Sequence, residues 1–227
     1  MSRPFSPASD PAATTPMASG DGRIPRLELA DGRLFNPFQP DPDAIAPELV
    51  AIGLGNCCRF GGQIPEFYSV AQHSVLVALL APRDLPAQRM ALLHDAEEGF
   101  GLPDLPTPFK PRLPAYVEAQ AQITRAVEIR FGLDPADHPR IKPADLGALA
   151  LEKVRLKTDA NPDYWREWVG EIEIVDWVRI VPLGPLEARE LWLEAFDRVF
   201  RQELPVSRDW IVSRTGFVVE PGPQPGF

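Results

Sequence analysis

Apolar residues in this chain recur mostly at helical spacing and only rarely alternate as in a strand. Val70 to Leu80 is apolar nearly all round, broken only by Gln72, His73 and Ser74, which predicts a helix buried on every side. Pro86 to Gly99 predicts the next helix, with proline near its first turn and Met90, Leu92 and Leu93 leading into His94. Tyr116 to Phe131 spaces Val117, Ala121, Thr124, Val127 and Ile129 helically and stops at Gly132. Further helices are predicted over Ala44 to Leu54, entered through Pro-Asp-Pro-Asp at 40–43, over Pro143 to Lys157, and over Pro185 to Gln202. Strand signals are few. Leu27 to Phe35 alternates around Asp31-Gly32, and a terminal hairpin is predicted from Trp210-Ile-Val to Phe217-Val-Val across Thr215-Gly216. Val169 to Pro182 fits an irregular strand or a helix equally well. The expected fold is all-α, with small peripheral β-hairpin elements.

Composition sets the domain plan. The 27 prolines concentrate in the N-terminal arm, in the loop Leu102 to Pro114 and in the tail Pro221 to Pro225. Residues 1–23, rich in Ser, Ala, Thr and Pro, predict a disordered arm. Residues 24–204 predict a single helical domain, and 205–227 a partly flexible C-terminal extension. The prolines of 102–114 forbid regular helix and predict a stiff loop directly after the His94 helix. The N-terminus has no secretory h-region, and no apolar run approaches the roughly 18 residues of a membrane span. A soluble, cytoplasmic protein with no membrane partner is expected. Adjacent Cys57 and Cys58 read as reduced thiols rather than a zinc or redox pair. The five tryptophans, clustered in the last third, read as core packing and subunit contact, or as an aromatic surface for a base or a partner.

A net charge of −9 argues against polymeric nucleic acid, whose binding needs many Lys and Arg contacts to phosphates. It leaves a small phosphorylated ligand open, because a local basic pocket can exist on an acidic protein.

The candidate chemistry lies in three segments. His73 sits in Ser69-Val-Ala-Gln-His-Ser74, His94-Asp95 in Met90-Ala-Leu-Leu-His-Asp-Ala-Glu-Glu98, and Asp145 in Ile141-Lys-Pro-Ala-Asp145. The chain has only three histidines, and two of them fall in this pattern. Two imidazoles and two carboxylates can hold one divalent metal and leave a coordination position for water. An ion that acidifies water gives hydrolysis at neutral pH, so a metal-dependent hydrolase is expected. Glu98, three residues after Asp95, lies on the same helix face, where it can orient water or move a proton.

These segments, together with Arg59-Phe60, Tyr68 and Asp104-Leu-Pro-Thr-Pro-Phe-Lys110, carry a resemblance. The chain resembles the HD-domain phosphohydrolase superfamily, with its order His…His-Asp…Asp, and within it the small bacterial HD 5′-deoxynucleotidases. The resemblance covers about Leu27 to Lys157 and, more weakly, Pro185 to Phe200. It implies a helical bundle around a metal site and hydrolysis of the 5′-phosphate of (deoxy)nucleoside monophosphates. By it, His73, His94, Asp95 and Asp145 are metal ligands, and Glu98 is the acid/base residue. Arg59 reaches the phosphate, Asp104 stands near the sugar, and Phe60 stands where relatives can have a tryptophan. Lys110 and Lys142 are phosphate candidates by charge and position, or solvated surface lysines. The loop from Glu98 to Asp104 is longer than in those deoxynucleotidases. The donor set does not choose among Mn, Co, Fe and Zn. A homodimer is compatible with the resemblance.

Three rivals share the scaffold. A deoxynucleoside triphosphate hydrolase would use Arg59, Lys110, Arg112, Arg140 and Lys142 on a longer phosphate chain. An alarmone hydrolase would want an aspartate where Gly99 stands. A two-metal phosphodiesterase would want more histidines than the remaining His138. A non-catalytic nucleotide- or metal-sensing module is the alternative of another class, and Glu98 counts against it.

Overall fold

A computed structural model describes residues 23–106, 108–157, 161–170 and 174–220. The predicted disordered arm lies outside the described residues except for Arg23, as does the tail 221–227. The described residues form eight α-helices: α1 (Pro47–Asn56), α2 (Val70–Leu80), α3 (Leu85–Leu93), α4 (Pro114–Phe131), α5 (His138–Leu156), α6 (Pro162–Val169), α7 (Pro185–Phe200) and α8 (Arg208–Ile211). Two small antiparallel sheets pair β1 (Leu27–Glu28) with β2 (Leu34–Phe35), and β3 (Val178–Ile180) with β4 (Phe217–Val219). No described helix is long and apolar enough to cross a membrane.

The all-round apolar pattern of α2 has the predicted consequence: it is the central helix, packed by α1, α3, α5 and α7. Its residues from Val70 to Leu79 are all buried, polar Gln72, His73 and Ser74 included. Burying each large aliphatic side chain of such a helix contributes about 1.5–3 kcal/mol. Ser69 starts α2 by accepting a hydrogen bond from the backbone N–H of Gln72 at 3.1 Å.

Several boundaries differ from the pattern reading, each for a local reason. Residues 42–44 form only a 3₁₀ turn, and α1 begins at Pro47, because a residue preceding proline is pushed out of the helical region. Ala46 is accordingly extended, at φ −99° and ψ 145°. α3 stops at Leu93 rather than Gly99; His94 caps it, and Ala96 to Phe100 tightens into a 3₁₀ turn. α5 begins at His138, so Pro143 lies inside it instead of starting it. Buried Ile141 anchors the extra turns, as does Arg140, which donates to Asp137 at 2.6 Å and Asp84 at 2.5 Å.

The C-terminal hairpin is replaced by another pairing. Trp210 and Ile211 are both buried, which neighbours in a strand facing a single core cannot achieve, so they sit on α8. β4 instead joins β3, which decides Val178 to Ile180 as strand. The segment after Leu204, expected as an extension, therefore belongs to the core through Val206, Trp210, Ile211 and Phe217. Two buried glutamines hold it there. Gln88 brackets Val206, donating to its carbonyl at 2.8 Å and accepting from its N–H at 2.7 Å. Gln72 donates to the carbonyls of Val181 and Gly216, both at 2.9 Å.

One close approach positions the His-Asp segment. α1 lies against the 3₁₀ turn after Asp95, and a Cβ on Gly53 would stand 1.9 Å from the Gly99 carbonyl oxygen. Only glycine at 53 lets these backbones meet.

Candidate metal centre

Four side chains from three stretches of chain converge at α2. His73 projects from the middle of α2 and is fully buried. His94 closes α3, and Asp95 follows in the break before the 3₁₀ turn, at φ −112° and ψ 21°. The two ligand candidates thus leave a helix end rather than one continuous helix. Asp145 comes from α5.

Asp95 Oδ2 lies 3.6 Å from His73 Nε2 and 3.2 Å from His94 Nε2. Asp145 Oδ1 lies 3.5 Å and 3.7 Å from the same two nitrogens. Yet both Nε2 atoms are buried without a hydrogen-bond partner. Donors bonded at about 2.0–2.2 Å to one tetrahedral ion stand roughly 3.3–3.6 Å apart, which matches these separations. The His73, His94 and Asp95 group can hold a metal ion, and Asp145 Oδ1 stands beside the same two imidazoles.

The other ring nitrogens are engaged. His73 Nδ1 is 2.6 Å from Glu152 Oε1, and His94 Nδ1 is 2.7 Å from the Ala91 carbonyl. An Nδ1–H donated to such acceptors leaves the Nε2 lone pair facing the shared space.

Electrostatics inside the cluster follow from burial and proximity. Burial alone would lift the Asp95 and Asp145 carboxyls, but the two imidazoles outweigh it and hold both well below the usual carboxylate range. Burial would lower the His94 imidazole, but Asp95 and Asp145 raise it well above its ordinary value. Glu98 is raised well above a normal carboxyl by burial and then by Asp95, Asp104 and Glu97. Glu97 is pushed up to about 7 by burial and Asp95, against a hydrogen bond from Gln120. Glu98 is buried, shares a carboxylate cluster with Asp95 and Glu97, and its Oε2 has no partner.

The remaining sequence candidates separate. Arg59 is buried beside the cluster, its Nη1 3.7 Å from Asp95 and its Nη2 3.1 Å from Glu152. Phe60 follows in a left-handed conformation, at φ 58° and ψ 29°, and Asp104 Oδ2 accepts its backbone N–H at 2.6 Å. Asp104 thus clamps the Arg59-Phe60 turn. Lys142 donates to Asp145 Oδ2 at 2.7 Å from an exposed position on α5. Lys110 makes no hydrogen bond or ion pair with these residues among the described ones; it sits on the turn Lys110–Arg112. His138 starts α5 and contacts Glu128 at 2.9 Å, apart from the cluster. Cys57 and Cys58 are free thiols, and burial pushes Cys57 up to about 12, well away from thiolate chemistry.

Comparison with known proteins adds kinship. No family model matches the chain. The uncharacterized protein YfdR of Escherichia coli K12 is 34% identical over 171 residues, which span 75% of this chain and 93% of YfdR. The chain belongs to the YfdR family. The uncharacterized protein RCAP_rcc00048 of Rhodobacter capsulatus is 40% identical over 136 residues, 55% of this chain and 69% of that relative.

In this member of the YfdR family the sequence missed one residue beside the site and weighed another toward the core. Glu152, fully buried, touches both His73 and Arg59. Its signal was a carboxylate two helical turns after Asp145, beside buried Ala148 and Leu151. Trp165 on α6 meets the Phe60 ring edge-on at 6.2 Å, so one of the tryptophans read as core borders the site instead.

Proposed function

We propose that this chain is a metal-dependent phosphohydrolase of the HD type, acting on the 5′-phosphate of (deoxy)nucleoside monophosphates. The observation that carries the reading is the pair of buried, partnerless Nε2 atoms of His73 and His94, each within 3.7 Å of Asp95 and Asp145 oxygens. His73, His94, Asp95 and Asp145 would hold one divalent ion, of Mn, Co, Fe or Zn type. When bound, such an ion supplies Lewis acidity, polarising a phosphoryl oxygen and making water a better nucleophile.

The chain's own groups do the rest. Glu98, whose carboxylate is clustered with that of Asp95, holds the proton exchanged between the attacking water and the leaving 5′-oxygen. Arg59 adds a fixed positive charge beside Asp95, where negative charge builds on the phosphoryl group. The Phe60 ring carries the Lys157 ammonium 4.9 Å and the Arg59 guanidinium 5.5 Å from its centroid, which puts an aromatic group and two cations together where a nucleotide would be received. Asp104 fixes that ring through the Phe60 N–H. A monophosphate is favoured over a triphosphate because Arg140 and Lys142 are already committed to Asp84, Asp137 and Asp145.

The test is to incubate the purified protein, with Mn²⁺ or Co²⁺, against deoxy- and ribonucleoside mono- and triphosphates, with Asp95→Ala as control. Orthophosphate released from deoxy-monophosphates by the wild type alone is the expected result. Triphosphate release would move the reading to a deoxynucleoside triphosphate hydrolase on the same residues. Metal binding without turnover of any nucleotide would leave a sensing module.

A further inference from the structure

Glu152 is a buried charge that the proposed reaction does not use directly. It is fully buried on α5, 79 residues from His73 and 93 from Arg59 in sequence, yet each of its oxygens is committed. Oε1 lies 2.6 Å from His73 Nδ1, and Oε2 accepts from Arg59 Nη2 at 3.1 Å. A charge buried this deeply is tolerated only when paired and hydrogen-bonded, and this one is held by two groups of the candidate centre.

We propose that Glu152 is the positioning residue of the centre: one carboxylate orients the His73 imidazole with Oε1 and the Arg59 guanidinium with Oε2. The inference rests on the reading of His73 as a metal ligand.

Three features argue for positioning over mere neutralisation of Arg59. First, an anionic acceptor on Nδ1–H fixes the tautomer, turns Nε2 toward the metal space and makes it a stronger donor. His94 has only the neutral Ala91 carbonyl in that place, so the two imidazoles are held by unequal means. Second, Glu152 stands two turns from Asp145 on the same face of α5. One helix therefore provides a ligand and the holder of another. Third, Arg59 Nε is buried without a partner and its nearest other carboxylate, Asp95, is 3.7 Å away. Without Glu152 the guanidinium has no close hydrogen bond to set its plane.

The test uses the full chain loaded with Co²⁺, whose paramagnetism shifts the N–H protons of bound imidazoles out of the protein envelope in proton NMR. Wild type is expected to show two such exchangeable signals, with that of buried His73 slow to exchange into D₂O. Glu152→Gln should displace or abolish the His73 signal and leave that of His94. It should also weaken Co²⁺ binding by about 10–100-fold and reduce the affinity for inorganic phosphate. A folded Glu152→Gln protein with both signals and the Co²⁺ affinity unchanged would overturn the assignment. If that variant does not fold, Glu152→Asp, which keeps the charge but withdraws it from His73 Nδ1, takes its place: an unchanged His73 signal and Co²⁺ affinity overturn the assignment, and a displaced signal with weaker binding supports it. Failure of wild type to bind Co²⁺ would overturn the metal reading and this assignment together. Co²⁺ binding with the expected spectrum but no nucleotide turnover would support the assignment while sinking only the proposed activity.

Discussion

Phe60 is the residue at which local conformation and site meet. A non-glycine side chain in the left-handed region costs about 1–2 kcal/mol, and here Gly61 follows in the same conformation. Asp104 offsets that cost by accepting the Phe60 N–H at 2.6 Å. Asp104→Ala should therefore lower stability by about 1–3 kcal/mol, as expected when a charged acceptor is taken from a partly buried donor. Asp104→Asn, which keeps an acceptor, should lose less. Urea denaturation of the three proteins measures this; equal midpoints would show that the clamp contributes nothing. The sequence put Arg59, Phe60 and Asp104 near one another through the resemblance alone. It could not show that Asp104 acts on the Phe60 backbone, because that contact spans 44 residues.

At the scale of elements, α3 delivers His94 and is itself held at its start. Asp84 caps it, accepting from the Ala87 N–H at 3.0 Å and from Arg140 of α5. Burial tends to raise the Asp84 carboxyl, but the Ala87 N–H and then Arg140 outweigh it and leave it below its ordinary value. A carboxyl lowered by folding stabilises the protein above its unfolded-state pKa, and that contribution disappears as pH falls through the folded one. Asp84→Ala should thus be less stable than wild type by about 1 kcal/mol at neutral pH. The gap should close below about pH 4. A gap that stays constant from pH 7 to pH 3 would mean that the Asp84 charge has no part in it. The helix pattern announced α2 and α4 to within two residues, since apolar spacing and the Gly132 stop are local signals. It misjudged the starts of α1 and α5 and the end of α3. There, Pro47, the Arg140 bridge and the packing of Gly53 against Gly99 overrode the local pattern.

For the molecule as a whole, the C-terminal segment closes the core rather than trailing from it. Val206, Trp210, Ile211 and Phe217 are buried, and Gln72 and Gln88 spend their amides on its backbone. Those amides would be left as unsatisfied buried groups without it. A chain ending at Leu204 should therefore lose its cooperative thermal transition, as followed by circular dichroism. A sharp transition near the wild-type temperature would show that 205–227 is dispensable to the fold.

The sequence by itself determined the helical class, the central burial of α2, and the order of His73, His94-Asp95 and Asp145. These rest on residue type and short-range spacing, which act before any long-range contact forms. Only the tertiary structure decided that β4 pairs with β3. It alone turned Nε2 of both histidines into one space and brought Glu152 beneath His73 and Arg59. Each of these joins residues far apart in the chain, and no local pattern encodes which distant partner meets a buried polar group.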